Sequence, residues 1–471
     1  MSNHDNATNE ATEALSTAAL LRDAAERGVR YRAAAGARQV FPPGDAVAAL
    51  AALDVPLPRH GSDAAAVLAD LDRLGSPATV TTAGGRYFGF VNGSSLPATV
   101  AAHWLATAWD QNCALQVMSP TAAAFEERAL TWTLEALRLP TDAAGTFVVG
   151  ATMANFTALA AARHRVFARV GWNVDADGLG GAPPLTMVVG AEVHSTVRRV
   201  LGLLGVGRSR ALELPVDGQG RIRATGLPRL SGPAIVCLQA GNVNTGALDP
   251  AGPLCAWAHE HGAWVHVDGA FGLWARAARR DIAAQADGYE LADSWATDAH
   301  KWLNVPYDCG VALVRDADAL RQAMAMTAAY LPPSSGARDP MHYSPDGSRR
   351  ARGVDVWAAL AFLGRDGVAA LVDRCCRHAT RFAEGLRGAG HDVLNEVTLN
   401  QVLVRFGDDD TTRQVIAAVQ QQAVCWCGGT TWHGREAMRI SVSSYATADA
   451  DVDASLASIL DCARSLQAGR S

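Results

Sequence analysis

The 471-residue chain is 49% hydrophobic and 19% charged, with a formal net charge of −6. That balance describes a folded globular protein and excludes a disordered one, and the lack of any basic block argues against nucleic acid or an anionic membrane surface as a partner. At roughly 100–200 residues per domain the length implies two or three cores, and no apolar run reaches the roughly 18–20 residues that span a bilayer.

The first residues, "MSNHDNATNEATEAL", are polar and slightly acidic, without the basic and apolar regions of a secretory leader. Nine cysteines are scattered, among them Cys375-Cys376 and the "CWC" at 425–427. An odd number without paired metal spacing fits reduced thiols, so the expected location is the cytoplasm. Residues 12–75 read as helices with breaks at "FPPGD" and "DVPLPRH", which predicts an N-terminal helical extension over residues 1–80.

Helical segments then alternate with short apolar runs: "GTFVVG" (145–150), "LTMVVG" (185–190), "PAIVCLQ" (233–239), "AWVHVD" (263–268), "SWATD" (294–298) and "GVALVR" (310–315). Such runs predict a mainly parallel sheet covered by helices on both faces, an α/β domain over residues 81–345. The Pro-, Gly- and Ser-rich stretch "TAAYLPPSSGARDPMHYSPDGSRRARG" (327–353) predicts a long loop. After it an Ala-rich helical stretch, strands at "NQVLVRF" (400–406) and "AMRISVS" (437–443) and a final helix predict a smaller α+β domain over residues 346–471.

In sheets of this kind ligands sit at the carboxyl ends of the strands. After "GTFVVG" comes "ATMANFTALAAARH", a small-residue turn feeding a helix expected to begin near Ala154. Its free N–H groups and the Thr152 hydroxyl suit an anion, although such turns also serve tight packing alone. "AEVHST" places His194 after the second run, and "AGNVNTGALDP" offers Asn242, Asn244 and Thr245, residues that turn formation explains equally well. Asp268 ends an apolar strand, where an unpaired carboxylate is costly and calls for a cationic partner. "HEHG" at 259–262 reads as a polar helix end, and no metal site is expected.

Lys301, in "DAHKWLNVPYDCG", is the one lysine among 41 basic residues. Arginine matches lysine in ion pairs but is never deprotonated in a protein. Forming a Schiff base needs a neutral primary amine, which among side chains lysine alone supplies. The retained lysine is therefore read as the residue whose chemistry arginine cannot perform. A phosphate turn, a histidine beside the ring, a carboxylate for a pyridinium nitrogen and a lysine amine, in this order along the chain, together describe a site for pyridoxal 5′-phosphate (PLP).

These stretches resemble the PLP-dependent group II decarboxylases, the relatives of aromatic-L-amino-acid, glutamate and 2,4-diaminobutyrate decarboxylases. "HVDGAFG" resembles the family's His-Val-Asp-Ala-Ala motif and "DAHKWLNVPYDCG" its Pro-His-Lys-Trp-Leu motif. "VHSTVRRVLGLLG" is similar to the stretch carrying the ring-stacking His, "RYFGFVNGSSLPATVAAHWLATAWDQN" to the substrate-pocket segment, and "SRRARGVDVWAAL" to the arginine-rich start of the C-terminal domain.

The resemblance implies the aspartate-aminotransferase fold (PLP fold type I) and a homodimer with active sites at the interface. It implies that Lys301 holds the cofactor as an aldimine, that Asp268 pairs with the pyridinium nitrogen and that His194 stacks on the ring. Ala151, Thr152 and His300 would bind the phosphate. Asn242 would lie near the ring or its 3′ oxygen, with Asn244 in its place if the register slips by two. The cleaved bond's electrons would pass into the ring as a quinonoid, and Tyr330, in the long loop, would return a proton to Cα. Phe90, Asn92 and, from the partner, the region 109–112 with Asn112 would line the substrate pocket.

Arg439 has two readings: the alternation of 438–443 puts it on a polar, solvated face, whereas the resemblance makes it the grip on the substrate carboxylate. The turn "GATMANFT" lacks the Ser and Glu of the aromatic decarboxylases, and "WDQN" (109–112) is closer to the diaminobutyrate branch. An amino-acid decarboxylase is thus expected, with an aromatic substrate favoured and a polar aliphatic one such as diaminobutyrate next. The alternatives are an aldehyde-forming oxidative deaminase, whose relatives carry Phe at the loop tyrosine, a retro-aldolase, an aminotransferase, and a non-enzymatic PLP-binding regulator.

Overall fold

The computed structural model describes residues 2–326 and 338–468, with side chains from Thr17 onward except that of Arg280. Seven strands form the larger sheet: β1 (Ala144–Val148), β2 (Thr186–Gly190), β3 (Leu212–Leu214), β4 (Ala234–Gln239), β5 (Trp264–Asp268), β6 (Ser294–Asp298) and β7 (Gly310–Val314), in the order β1-β7-β6-β5-β4-β2-β3. From β3 to β6 every pairing is parallel. Every residue of β4 through β7 is buried, as a sheet covered on both faces requires.

β7 runs antiparallel to both β6 and β1. Residues 299–309 join β6 to β7, too short a link for the crossover that a parallel neighbour needs. That link carries His300 and Lys301, so it fixes where the lysine emerges.

The helix Ala151–Ala168 packs across β5, β6 and β7. It begins at Ala151, not near Ala154, because β1 and the extended Gly150 complete the turn in two residues. Its alanines at 154, 158, 160, 161 and 162 are all buried and let the helix lie close to the sheet. A long helix, Arg352–Gly388, bends at Gly364, whose φ of 59° breaks the helical path. The second sheet, β8 (Asp392–Val393), β9 (Gln401–Arg405), β10 (Gly428–Trp432) and β11 (Arg435–Ser441), is antiparallel in the order β10-β11-β9-β8. Helices Asp409–Gln422 and Asp449–Ala468 pair beside it. The expectation of an α/β chain with a mainly parallel central sheet and a smaller α+β part holds.

Of the N-terminal helices Ser2–Ala34, Gly44–Ala49 and Ala64–Ala78, the first is joined to the third by Arg27 and Asp72 (2.9 Å) and to the following segment by Arg32 and the Ser95 carbonyl (2.7 Å). "HEHG" is a helix end: His259 pairs with Asp293 at 3.0 Å and His261 with the Trp257 carbonyl. Among the described residues no group of metal-ligating side chains forms a site. All nine cysteines are free.

Candidate active site

The carboxyl ends of β5 and β6 open onto a cavity of about 670 Å³. Asp268, the last residue of β5, is 4% exposed, and its Oδ1 is buried with no hydrogen-bond partner among the described residues. Asp298, the last of β6, has an equally buried and unpartnered Oδ1. Its Oδ2 lies 3.1 Å from Lys301 Nζ and 3.7 Å from His300 Nε2. His300 accepts the Cys309 N–H at Nδ1 (3.0 Å), so its neutral form carries the proton on Nε2. Burial holds the His300 imidazole below its ordinary pKa, against the opposing pull of Asp298.

Across the cavity His194 caps the helix Ser195–Leu203, its Nδ1 accepting from the Thr196 N–H (3.3 Å) and lying 2.8 Å from the Thr196 hydroxyl. The neutral ring therefore carries its proton on Nε2. Burial lowers its pKa, Asp268 opposes that, and Lys301 and Arg439 reinforce it. Ala151 and Thr152 stand at the wall where the helix Ala151–Ala168 begins, presenting first-turn N–H groups that the helix itself leaves unpaired. β7 crosses directly behind this turn: a Cβ on Gly310 would fall 2.4 Å from the Gly150 carbonyl carbon, so only glycine fits there.

Asn242 lines the cavity, but its polar atoms serve a local turn. Oδ1 accepts from the Asn244 and Thr245 N–H groups (2.9 and 3.2 Å), and Nδ2 lies 3.3 Å from Gln239 Oε1. Asn244 also lines the wall, with its Oδ1 bonded to the Thr430 hydroxyl. Phe90 and Asn92 form the rim, stacked through Phe90 on Trp426 (5.3 Å between rings). Asn112 is not at the cavity of its own chain; its Oδ1 accepts the Arg349 N–H at 3.2 Å. Tyr330 lies outside the described residues.

Arg439 corrects the solvated reading. It does share a strand face with Ser441, but its half-buried guanidinium lies against the 239–246 turn and lines the cavity. Its Nη1 donates to the Val243 carbonyl (3.2 Å) and meets no carboxylate among the described residues. Burial alone lowers its pKa.

Sequence reasoning passed over Asp298, although it ends an apolar strand just as Asp268 does. It also passed over Tyr307, whose ring packs tilted against His300 (4.3 Å between rings) and whose hydroxyl donates to Asn92 Oδ1 (2.8 Å), and Glu192, on the cavity wall. No local signal in the sequence marked those two.

An unpartnered buried carboxylate, a lone lysine, a helix start and an imidazole around one cavity fit PLP, and the fold together with this set defines a PLP-dependent enzyme of fold type I. The pyridoxal-dependent decarboxylase conserved domain matches residues 44–406. The chain belongs to that family, whose members are PLP-dependent carboxy-lyases acting on amino acids. It is 28% identical over 367 residues to an L-2,4-diaminobutyrate decarboxylase of Rhizobium meliloti, a match covering 74% of this chain and 71% of that protein. It is 28% identical over 320 residues to an aromatic-L-amino-acid decarboxylase of Bacillus atrophaeus, covering 65% and 64%. Its fold matches that of Oryza sativa TDC with PLP and tryptamine, with TM-score 0.87 and 22% identity over 96% of this chain and 98% of that one. Mouse CSAD gives the same TM-score and identity over 95% and 99%.

Proposed function

We propose that this chain releases the α-carboxylate of an L-amino acid as carbon dioxide, an aromatic side chain being favoured and a polar aliphatic one such as that of diaminobutyrate next. The observation that carries the reading is the buried Asp268 carboxylate facing the cavity that also holds the chain's one lysine; among the described residues its Oδ1 has no partner and the arginine at the cavity wall no counterion. The two relatives, one for each substrate class, support it.

Lys301 would hold the cofactor, Ala151, Thr152 and His300 its phosphate, and His194 the face of its ring, with Asn242 or Asn244 near the ring's 3′ oxygen. Once bound, the cofactor supplies a sink for the electrons of the cleaved bond. A carboxylate at Asp268 favours a protonated ring nitrogen, because an opposite charge within hydrogen-bond reach stabilises the cation. Arg439 grips the α-carboxylate through its planar fork. Such a grip stabilises the ground state as well, so its contribution to rate lies in orienting the bond that breaks. Phe90 and Asn92 meet the substrate side chain, and Tyr330 returns the proton to Cα.

We also propose a homodimer with this cavity at the interface, where Asn112 of each chain faces the partner's cavity. Exposed Phe90, Trp104, Trp109, Val117 and Met118 give that stretch the apolar surface an interface needs. A cytoplasmic location is part of the same reading; no described helix is long and apolar enough to cross a membrane.

The test is a carbon dioxide release screen over the natural amino acids and diaminobutyrate, with ammonia, peroxide and aldehyde measured on the same samples. One amino acid should release carbon dioxide well above the rest, and Lys301→Ala should abolish both release and the cofactor's visible band. Trace release from every substrate, or aldehyde with peroxide as the main products, sinks the decarboxylase reading.

A further inference from the structure

Asp298 poses a problem that the proposed roles leave unsolved. It is a carboxylate 3% exposed, at the end of β6, with Oδ2 on Lys301 Nζ at 3.1 Å. Its other oxygen, Oδ1, is buried without a partner among the described residues and points toward the turn at Gly150: a Cβ built on Gly150 would lie 3.6 Å from it. That turn begins the helix Ala151–Ala168, whose free N–H groups suit the cofactor phosphate. An ionised carboxylate and a phosphate dianion sharing one water-poor corner repel each other strongly.

Lys301 poses the complementary problem. Its Nζ lies 3.1 Å from the Asp298 carboxylate, and an amine in the ammonium form has no lone pair with which to attack a carbonyl.

We propose that Asp298 is the proton acceptor for Lys301 during cofactor attachment, and that in the loaded protein it stays protonated and donates its O–H to the phosphate. The inference rests on the reading that the 150–152 turn holds the phosphate. One proton passes from Nζ to Asp298 over the 3.1 Å contact. The freed nitrogen lone pair attacks the cofactor's aldehyde carbon, a C=N bond replaces C=O, and the aldehyde oxygen leaves as water with the two remaining N–H protons. No oxidant or reductant is consumed, and the charge of the ion pair disappears as the phosphate arrives. A buried carboxylic acid kept neutral so that it can donate is an established device in polar active sites.

The charged and titratable groups facing Asp298 are few. Lys301, His300, Tyr307 and Cys309 come from the link between β6 and β7, and His194 from across the cavity. Among the described residues only Lys301 touches it as a cation. His300 carries its proton on Nε2 as a neutral ring and can add a second donor to the same corner.

The experiment is cofactor uptake by full-length apoprotein, with no amino acid present. Affinity is read from the visible band, and protons released are counted by calorimetry in buffers of differing ionisation enthalpy. Asp298→Asn keeps a donor on the phosphate side but cannot accept a proton. It should bind PLP within about 3-fold of wild type while releasing about one more proton per site. Asp298→Ala, which loses the donor, should bind roughly 10-fold or more weakly, as loss of a hydrogen bond to a charged group predicts. Equal proton release by wild type and Asp298→Asn overturns the proposal, as does an Asp298→Asn affinity as poor as that of Asp298→Ala. Absence of carbon dioxide from every amino acid, with uptake behaving as described, would remove the decarboxylase reading and leave this one standing.

Discussion

The backbone of Lys301 rests against Gly93: a Cβ placed on Gly93 would sit 1.8 Å from the Lys301 carbonyl oxygen and 3.0 Å from that of His300. The glycine therefore sets how closely the segment Phe90 to Asn92, proposed to meet the substrate, approaches the lysine. The obstacle is main chain, so no side-chain rotation can relieve the clash. Gly93→Ala should force the link after β6 to shift and cost on the order of 1–3 kcal/mol of stability, the usual range for overpacking. Thermal unfolding read beside cofactor uptake checks this. We expect kcat/KM to fall more than about 10-fold, since a shift of about 1 Å at the reacting group is enough for that. A variant with wild-type uptake and kinetics would mean that the segment yields freely.

Among the described residues Arg439 has no counterion, and it lies half-buried at the cavity wall. A half-buried guanidinium facing a cavity suits an anion, and the α-carboxylate is the anion that every substrate of the proposed reaction brings. Arg439→Lys keeps the charge but loses the planar fork. It should lower kcat/KM by roughly 10-fold or more, about 1.4 kcal/mol, with cofactor uptake unchanged. Wild-type kinetics in that variant would place the carboxylate elsewhere.

Lys301 and Asp268 were legible because their signals are chemical as well as positional. A lone lysine in an arginine-rich chain and a carboxylate ending an apolar strand each pose a question that structure alone does not answer. Arg439 was half legible. A period of two tells which residues share a face of β11 but not what lies against it, and at Arg439 that is the 239–246 turn of the larger sheet. The antiparallel course of β7 could not be read either, since hydrophobic pattern carries no strand direction; only the short 299–309 link hints at it. Gly93 and Tyr307 acquire their meaning from neighbours about 200 residues away in sequence, a distance no local pattern spans.

His266, in the middle of β5, is wholly buried between Asn155 Oδ1 (2.7 Å from Nε2) and Ser294 Oγ (2.9 Å from Nδ1). Burial pushes its pKa down to about 3. Between the ordinary histidine value near 6.5 and that depressed value, the unfolded chain binds a proton that the folded chain refuses. Stability from this group is thus intact above about pH 6.5 and falls as the pH drops, by about 3 kcal/mol at pH 4. Comparing wild type with His266→Gln in denaturant unfolding at pH 7 and pH 4 isolates the effect. The variant starts less stable, because it disturbs the link to Asn155, but should lose less on acidification. Parallel losses in the two proteins would mean that His266 titrates normally.

Tyr307 donates its hydroxyl to Asn92 Oδ1 at 2.8 Å while its ring lies on His300. Asn92 follows two residues in the left-handed region, Phe90 (φ 53°) and Val91 (φ 56°). The second is β-branched, for which that conformation is a clear outlier. Residues held so cost about 1–3 kcal/mol each and persist only where their surroundings over-determine them. Part of that support is visible: Phe90 stacks on Trp426, the Asn92 N–H returns to the Gly89 carbonyl (3.0 Å), and the Tyr307 hydroxyl holds the amide. Removing the hydroxyl by Tyr307→Phe keeps the ring on His300 and frees the Asn92 side chain. An exposed neutral hydrogen bond contributes about 0.5–1.5 kcal/mol, so KM should rise roughly 3- to 10-fold. kcat and cofactor uptake should stay within about 2-fold, because neither the lysine nor the phosphate turn is touched. Asn92→Ala should show the same split, and the double variant should be no worse than the poorer single one, as expected of two residues acting through one bond. A double variant whose loss is the product of the two singles would separate them, leaving Tyr307 as a lid over His300 and nothing more.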